Sequence, residues 1–182
     1  MDDKRLVKTS KYLARHLRHQ PERLGLTLDE AGWVDVDTLL RACSAQSFPL
    51  TRAQLNEVVE KNDKRRFSFD PSGTKIRASQ GHSVEVDLHL QPVDPPVLLF
   101  HGTSAPRIAS ILREGLHRGQ RHHVHLSPDT ETARRVGARH GRPVVLEVAA
   151  AEMSGIGFEF LTSDNGVWLT AEVPPRFLKV LS

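Results

Sequence analysis

Residues 91–96 read QPVDPP, and three prolines in six positions divide the chain. Proline fixes φ and lacks an N–H, so the stretch can sit inside neither a regular helix nor a central strand. Before it, apolar residues recur mostly at helical spacing. After it, they alternate as in strands. An α+β fold in two lobes follows, residues 1–90 and 97–182, with 91–96 as the linker. A chain of 182 residues is long enough for two such lobes.

In the first lobe, Leu6, Leu13 and Leu17 predict an amphipathic helix over 4–19, ended by Pro21. Arg18 and His19 then occupy its last turn, where cations also offset the helix dipole. Residues 24–34, closing on Gly32-Trp33-Val34, read as an extended passage. Asp35 caps a second helix through Val36, Leu39 and Leu40. Thr51 with Gln54 is a capping-box pattern for a third, through Leu55, Val58 and Val59. In NDKRRFSF, residues 62–69, Phe67 and Phe69 alternate with Arg66 and Ser68, as in a strand. Asp70-Pro71-Ser72-Gly73 is a turn, and residues 74–78 return with Ile76 and Ala78 on one face. Arg66, Lys75 and Arg77 share the other face. Three helices followed by a basic hairpin resemble a winged-helix arrangement. Residues 1–81 hold 15 lysines and arginines against 11 acidic residues, and residues 82–182 hold 10 against 11. The basic excess of the first half suits a polyanion such as nucleic acid, or simply a solvated face.

In the second lobe, Val97–Phe100 reads as a strand feeding a turn, His101-Gly102-Thr103-Ser104. Gly102 there either lets a ligand approach the backbone or makes an ordinary turn. A helix follows with Ile108, Ile111 and Leu112 inward and Gly115 as its stop. Val124 and Leu126 point one way from a short strand, and His123, His125 and Ser127 the other. Ser127-Pro128 then reads as the cap and first position of the next helix. Residues 143–148, 166–170 and 177–181 are further strands.

Cys43 is the single cysteine, so no internal disulfide forms and a cytoplasmic setting is expected, with Cys43 a small buried residue. The first ten residues lack the apolar stretch of a signal peptide, and no apolar run approaches the roughly 20 residues of a membrane span. His122, His123 and His125 cluster, but neighbours on a strand face opposite ways, and neither HExxH nor CxxC occurs. No metal is expected. With no extra apolar stripe, a monomer is expected.

Two strings carry the chemistry, LRHQP at 17–21 and RHHVHLS at 121–127. Each joins an arginine, a permanent planar cation, to a histidine that moves a proton near neutral pH. The pairing suits a phosphate that is gripped and then has a bond to it broken. With NDKRRF, FHGTS and SDNGVWLT, these strings occur in an order that resembles the RNA 2′-phosphotransferases, the Tpt1/KptA family, from Leu6 to Leu181.

That resemblance implies an N-terminal winged-helix RNA lobe and a C-terminal ADP-ribosyltransferase-like lobe that binds NAD+ as co-substrate. It implies an Arg-His-Arg-Arg group at Arg18, His19, Arg66 and Arg121. Arg65 replaces a residue that is often glutamine in relatives, and Arg65, Lys75 and Arg77 are the expected RNA contacts. The ADP-ribosyltransferase signature falls on His101, His125 and Val167, with valine where many such enzymes keep glutamate. His101, Gly102 and Thr103 would bind ribose or diphosphate, and His125 and Ser127 would line the nicotinamide ribose. The implied activity moves an internal RNA 2′-phosphate to NAD+ through an ADP-ribosylated RNA phosphate. It yields 2′-hydroxyl RNA, ADP-ribose 1″,2″-cyclic phosphate and nicotinamide. In organisms with tRNA splicing, the splice junction is the family's substrate. His19 is either an acid for the departing 2′-oxygen or a phosphate ligand. Two alternatives are an ADP-ribosyltransferase of nucleic-acid phosphates and a non-catalytic RNA-binding module.

Overall fold

The computed structural model describes residues 1–61 and 65–181, with the backbone alone at 140, so the Asn62-Asp63-Lys64 part of the expected strand lies outside the described residues. The fold is mixed α+β, and its internal contacts fall into two units, Met1–His89 and Leu90–Ser182. The proline-rich stretch is tied into the second. Pro92 bridges Leu161, and the Val93 N–H donates to the Phe160 carbonyl at 2.8 Å.

In the first unit α1 (Asp3–Arg18) starts on Asp2, whose carboxylate accepts from the Arg5 N–H at 2.7 Å. A 3₁₀ turn, Pro21–Leu24, follows it. Residues 24–34 are not extended as expected. Asp29 folds back and accepts from the Ala31 and Trp33 N–H groups at 3.1 and 2.8 Å, which bends the chain. Only Val34–Asp35 remains as a strand, β1. Asp35 caps α2 (Val36–Ala45) through the Thr38 N–H at 2.8 Å, as its sequence indicates. Both halves of the Thr51–Gln54 capping box form at the start of α3 (Arg52–Glu60). β2 (Phe67–Phe69) and β3 (Lys75–Ala78) pair with Phe67 opposite Ala78 and Phe69 opposite Ile76. The antiparallel sheet has order β1-β3-β2. Leu13, Leu17, Leu39, Leu55 and Ile76 are fully buried between helices and sheet. Cys43 lies among them, and burial pushes its thiol up to about 11.

The second unit runs β4 (Leu99–Ser104), α4 (Ile108–Glu114), β5 (Leu116–His117), β6 (Val124–Leu126), α5 (Thr130–Gly137), β7 (Pro143–Val148), α6 (Ala150–Gly155), β8 (Leu161–Thr162), β9 (Trp168–Thr170), β10 (Glu172–Val173) and β11 (Leu178–Leu181). Its antiparallel sheets have the orders β11-β7-β4, β6-β9-β8 and β10-β5. A core of Leu99, Leu126, Leu146, Met153 and Phe160 joins them.

Three local expectations need correction here. His101–Ser104 is strand rather than turn, because β7 pairs along all of it, with His101 opposite Leu146 and Thr103 opposite Val144. The cap of α5 is Asp129, which accepts from the Thr132 N–H at 2.6 Å, and not Ser127. Ser127 exchanges backbone hydrogen bonds of 2.7 and 2.9 Å with Phe100 and is held there as a bridge. Leu112 is 42% exposed, since a seven-residue helix that turns Ile108 and Ile111 to the core leaves it on the solvent side.

Gly102 is explained by packing. A Cβ there would overlap the Ala133 carbonyl of α5, and one on Gly137 would overlap the Thr103 carbonyl of β4. Helix and strand meet backbone to backbone at this pair. Gly102→Ala should therefore destabilise the second unit by about 2–3 kcal/mol. Gly155→Ala, with open space at its Cβ, should be neutral or gain up to about 1 kcal/mol. Urea unfolding of the two variants checks this, and equal midpoints would refute the contact.

Candidate active site

In the first unit, three of the expected residues gather at the C-terminal end of α1. The Arg18 carbonyl, one of the acceptors a helix end leaves over, accepts from the Ser83 and Val84 N–H groups at 2.8 and 3.3 Å. His19 caps the helix, and its Nδ1 lies 2.9 Å from Ser83 Oγ. Arg18 Nη2 reaches the Arg66 carbonyl at 3.5 Å, and that carbonyl also accepts from the Ser79 N–H at 2.9 Å. Arg66 Nη1 donates to Ser10 Oγ at 3.3 Å. Two guanidiniums and an imidazole are thus set on one frame of helix end, β2 entry and residues 79–84. Ser10 and Ser83 are parts of this frame that sequence reading passed over. Ser83 lies in Gly81-His82-Ser83, which has no periodic pattern to flag it.

In the second unit a similar chain joins β4 to β6. His101 Nδ1 lies 3.1 Å from the His125 carbonyl, which only accepts, so Nδ1 carries the proton. Burial holds the His101 pKa below its usual value, and the cations Arg107 and Arg121 act in the same direction against the opposing hydrogen bond. The ring is neutral at pH 7, and its Nε2 is a lone-pair acceptor. Arg121 Nη1 donates to His125 Nδ1 at 2.8 Å, which puts the His125 proton on Nε2. The Arg121 pKa is itself drawn down by burial and by the nearby Arg139, so positive charge is concentrated here. Sequence reading singled out neither Arg107 nor Arg139, because isolated arginines carry no spacing signal.

Thr103, 5% exposed, follows His101 on the same face of β4, and Ser127 stands at the Phe100 bridge beside it. Val167 ends a tight turn. Its N–H donates to Ser163 Oγ at 3.2 Å, and its carbonyl accepts from the Ser163 N–H at 3.0 Å. The hairpin cations are engaged. Lys75 pairs with Asp29 at 3.4 Å, and Arg77 lies over the Trp33 ring, 4.5 Å from its centroid. Arg65 is exposed and adopts φ +39°, with its carbonyl accepting from Ser79 Oγ at 2.8 Å. Among the described residues, no cluster of three or more His, Cys, Asp or Glu could hold a metal, and no helix is long and apolar enough to cross a membrane.

Comparison with known proteins places this geometry in context. The model of the RNA 2′-phosphotransferase, Tpt1/KptA family matches residues 4–172. A "Probable RNA 2′-phosphotransferase" of Trichormus variabilis is 57% identical over 182 residues, covering 100% of both chains. One of the same description from Streptomyces coelicolor is 59% identical over 179 residues, covering 98% of this chain and 97% of the relative. A third, from Herpetosiphon aurantiacus, is 57% identical over 178 residues, covering 98% of each.

The tautomers are directly measurable. Long-range ¹H–¹⁵N spectra at pH 7 should show the proton on Nδ1 of His101 and on Nε2 of His125, with the His101 midpoint below 6.5. Because the folded pKa is depressed, His101 takes up its proton less readily folded than unfolded. Its contribution to stability is complete above about pH 6.5 and is lost as pH falls through the folded midpoint. A His101 midpoint at or above 6.5 would contradict the arrangement.

Proposed function

The chain belongs to the RNA 2′-phosphotransferase, Tpt1/KptA family, and from that premise we propose that it removes an internal RNA 2′-phosphate in an NAD+-dependent reaction. We read the first unit as the winged-helix RNA lobe and the second as the ADP-ribosyltransferase-like lobe. The observation that carries the reading is the Arg18–His19–Arg66 group built on one helix end in a chain matching that family over residues 4–172.

NAD+ enters as a second substrate: its nicotinamide-bearing ribose carbon takes the phosphate oxygen as nicotinamide leaves, and its 2″-hydroxyl then takes the phosphorus, giving ADP-ribose 1″,2″-cyclic phosphate and RNA with a 2′-hydroxyl. The second unit's groups suit such a molecule. The acceptor Nε2 of neutral His101 complements a ribose hydroxyl, and the His125 Nε2–H complements an oxygen. The charge of Arg107 and Arg139 complements a diphosphate.

The 2′-phosphate is already an anion, so its attack needs no base. The reaction then has no use for a glutamate at 167, and an uncharged valine serves there. Arg18, Arg66 and Arg121 are assigned to the phosphoryl oxygens, where charge gathers when the second bond to phosphorus forms. His19, oriented by Ser83, is assigned to the departing RNA 2′-oxygen, which takes a proton as the phosphorus–oxygen bond breaks.

His19→Ala and Arg121→Ala should each lower turnover by about 10²–10⁴. Both should accumulate RNA–phosphate–ADP-ribose, seen by gel or mass spectrometry with a 2′-phosphorylated oligonucleotide and NAD+. Loss of turnover without that adduct would overturn the assignment of roles. Phosphate removal by the wild type without NAD+ would overturn the reaction, and a stable adduct from the wild type would make the protein a modifier of phosphates.

A further inference from the structure

One face of α1 carries a row of cations that the reaction above uses only at its end. Lys4, Lys8, Lys11, Arg15 and Arg18 follow one another at intervals of four, three, four and three residues. At 3.6 residues per turn they fall within about 80° around the axis and span about 21 Å along it. The first four are exposed, and the only carboxylate on the helix is Asp3, in its first turn. Among the described residues no ion pair holds Lys4, Lys8, Lys11 or Arg15. The Arg15 Nε donates to the Gln20 side chain at 2.8 Å, which fixes it at the C-terminal end of the helix.

Among the described residues of α3, its C-terminal cap and the β2–β3 hairpin, the cations are engaged. Lys61 pairs with Glu57, Lys75 with Asp29, Arg52 donates to the Gly73 carbonyl, and Arg77 covers Trp33. The third helix and the hairpin, where a winged-helix lobe is first searched for nucleic-acid contacts, therefore offer less available charge than α1.

Two hollows lie along one side of the row. One, about 540 Å³, is lined by Lys11, Tyr12, Arg15 and Arg23 among others. The other, about 510 Å³, is lined by Lys4, Arg5, Lys8 and Phe48 among others. Tyr12 and Phe48 stack on each other, with ring centroids 3.9 Å apart and planes at 5°. Hollows of this size suit nucleotide-sized groups, and cations tracking a backbone beside aromatic rings are how single strands are bound.

We propose that this row is a docking track for the RNA strand flanking the 2′-phosphate. Lys4, Lys8, Lys11 and Arg15 take successive backbone phosphates and lead the modified nucleotide to Arg18. The proposal rests on the RNA reading above and adds a surface outside the reacting group. A lipid surface is a poorer match, because Val7 is the only large apolar residue exposed on α1 and supplies no inserting edge. Charge along the row contributes binding energy at a distance from the chemistry, so it affects RNA capture and leaves the phosphoryl step alone.

The test uses the full chain and the variant Lys4→Gln/Lys8→Gln/Lys11→Gln/Arg15→Gln, with circular dichroism to confirm the helix. Two substrates carry the same internal 2′-phosphate, one three nucleotides long and one twenty. The expected result is a KM for the long RNA raised about tenfold or more at unchanged kcat, with the short RNA within about twofold. In a second arm, anisotropy with an unphosphorylated twenty-nucleotide RNA and no NAD+ should give a salt slope shallower by about 3 in the variant, near 0.7 per lost contact. Equal losses on both substrates, or none on either, would overturn the track. So would wild-type protein that ignores the RNA but binds vesicles of anionic phospholipid or an acidic peptide. If the binding arm gives the expected slope while the wild type transfers no phosphate, the track stands and the phosphotransfer reading alone fails.

Discussion

The contact of α5 with β4, made where two glycines remove the Cβ atoms between them, is the constraint on which the second unit's candidate site depends. Side chains alternate along a strand, so a helix pressed on the Gly102 face leaves His101 and Thr103 on the other. The pairing of His101 with Leu146 fixes the register. The Phe100–Ser127 bridge then holds β6 close enough for the His101 ring to meet the His125 carbonyl, and Arg121 follows by donating to His125. Two missing methyl groups thus help set the tautomers of His101, next to Gly102, and of His125 on β6. The glycine admits a helix on its own face, and the candidate ligand groups are its neighbours.

The charge of each half, read from composition, is a poor guide to the potential at each site. Residues 82–182 carry a slight acidic excess, yet Arg107 and Arg121 both act on His101, and Arg139 acts on Arg121. In the first unit the Arg18 guanidinium reaches the Arg66 carbonyl, the Arg66 guanidinium donates to Ser10, and His19 follows Arg18 at the helix end. Like charges held near one another repel, and that repulsion raises the energy of the site. Hydrogen bonds to Ser10, Ser83 and backbone carbonyls hold the groups in place against that cost. In the proposed reaction the phosphate offsets it, so the groups are preorganised for an anion.

Much of the first unit was legible because its signals are local. An aspartate at 35 followed by an apolar stripe, the Thr51–Gln54 pair and the Phe67/Phe69 alternation each specify a cap or a face within a few residues, and each is found. The errors share a cause, which is that a distant partner decided the outcome. FHGTS looked like a turn because glycine and threonine follow a strand, but β7, forty residues on, pairs with it throughout. Ser127-Pro128 looked like a helix start, but Phe100 holds the Ser127 backbone and passes the cap to Asp129. Short elements such as β5, β8 and α6 have too few residues to show a period at all. The candidate histidines and arginines stand in short strings, whereas Ser83, Ser10, Arg107 and Arg139 are defined only by what they approach in space.

Val167 shows how far the scaffold and the chemistry can be separated. Its backbone is fixed by a reciprocal pair of bonds with Ser163, and the Ser163 hydroxyl also donates to Asn165 at 2.7 Å, so the turn holds whatever side chain stands at 167. A glutamate there would serve a neutral nucleophile by accepting its proton. For a phosphate monoester it would do the opposite. Each unit of negative charge on the phosphate, at about 4 Å from a carboxylate and an effective dielectric near 20, would be repelled by about 4 kcal/mol. The same backbone turn can therefore belong to either chemistry, and the side chain at 167 tells which. Three arginines assigned to the phosphoryl oxygens and an uncharged residue at 167 are, in the proposed reaction, two consequences of one fact: the nucleophile arrives already ionised.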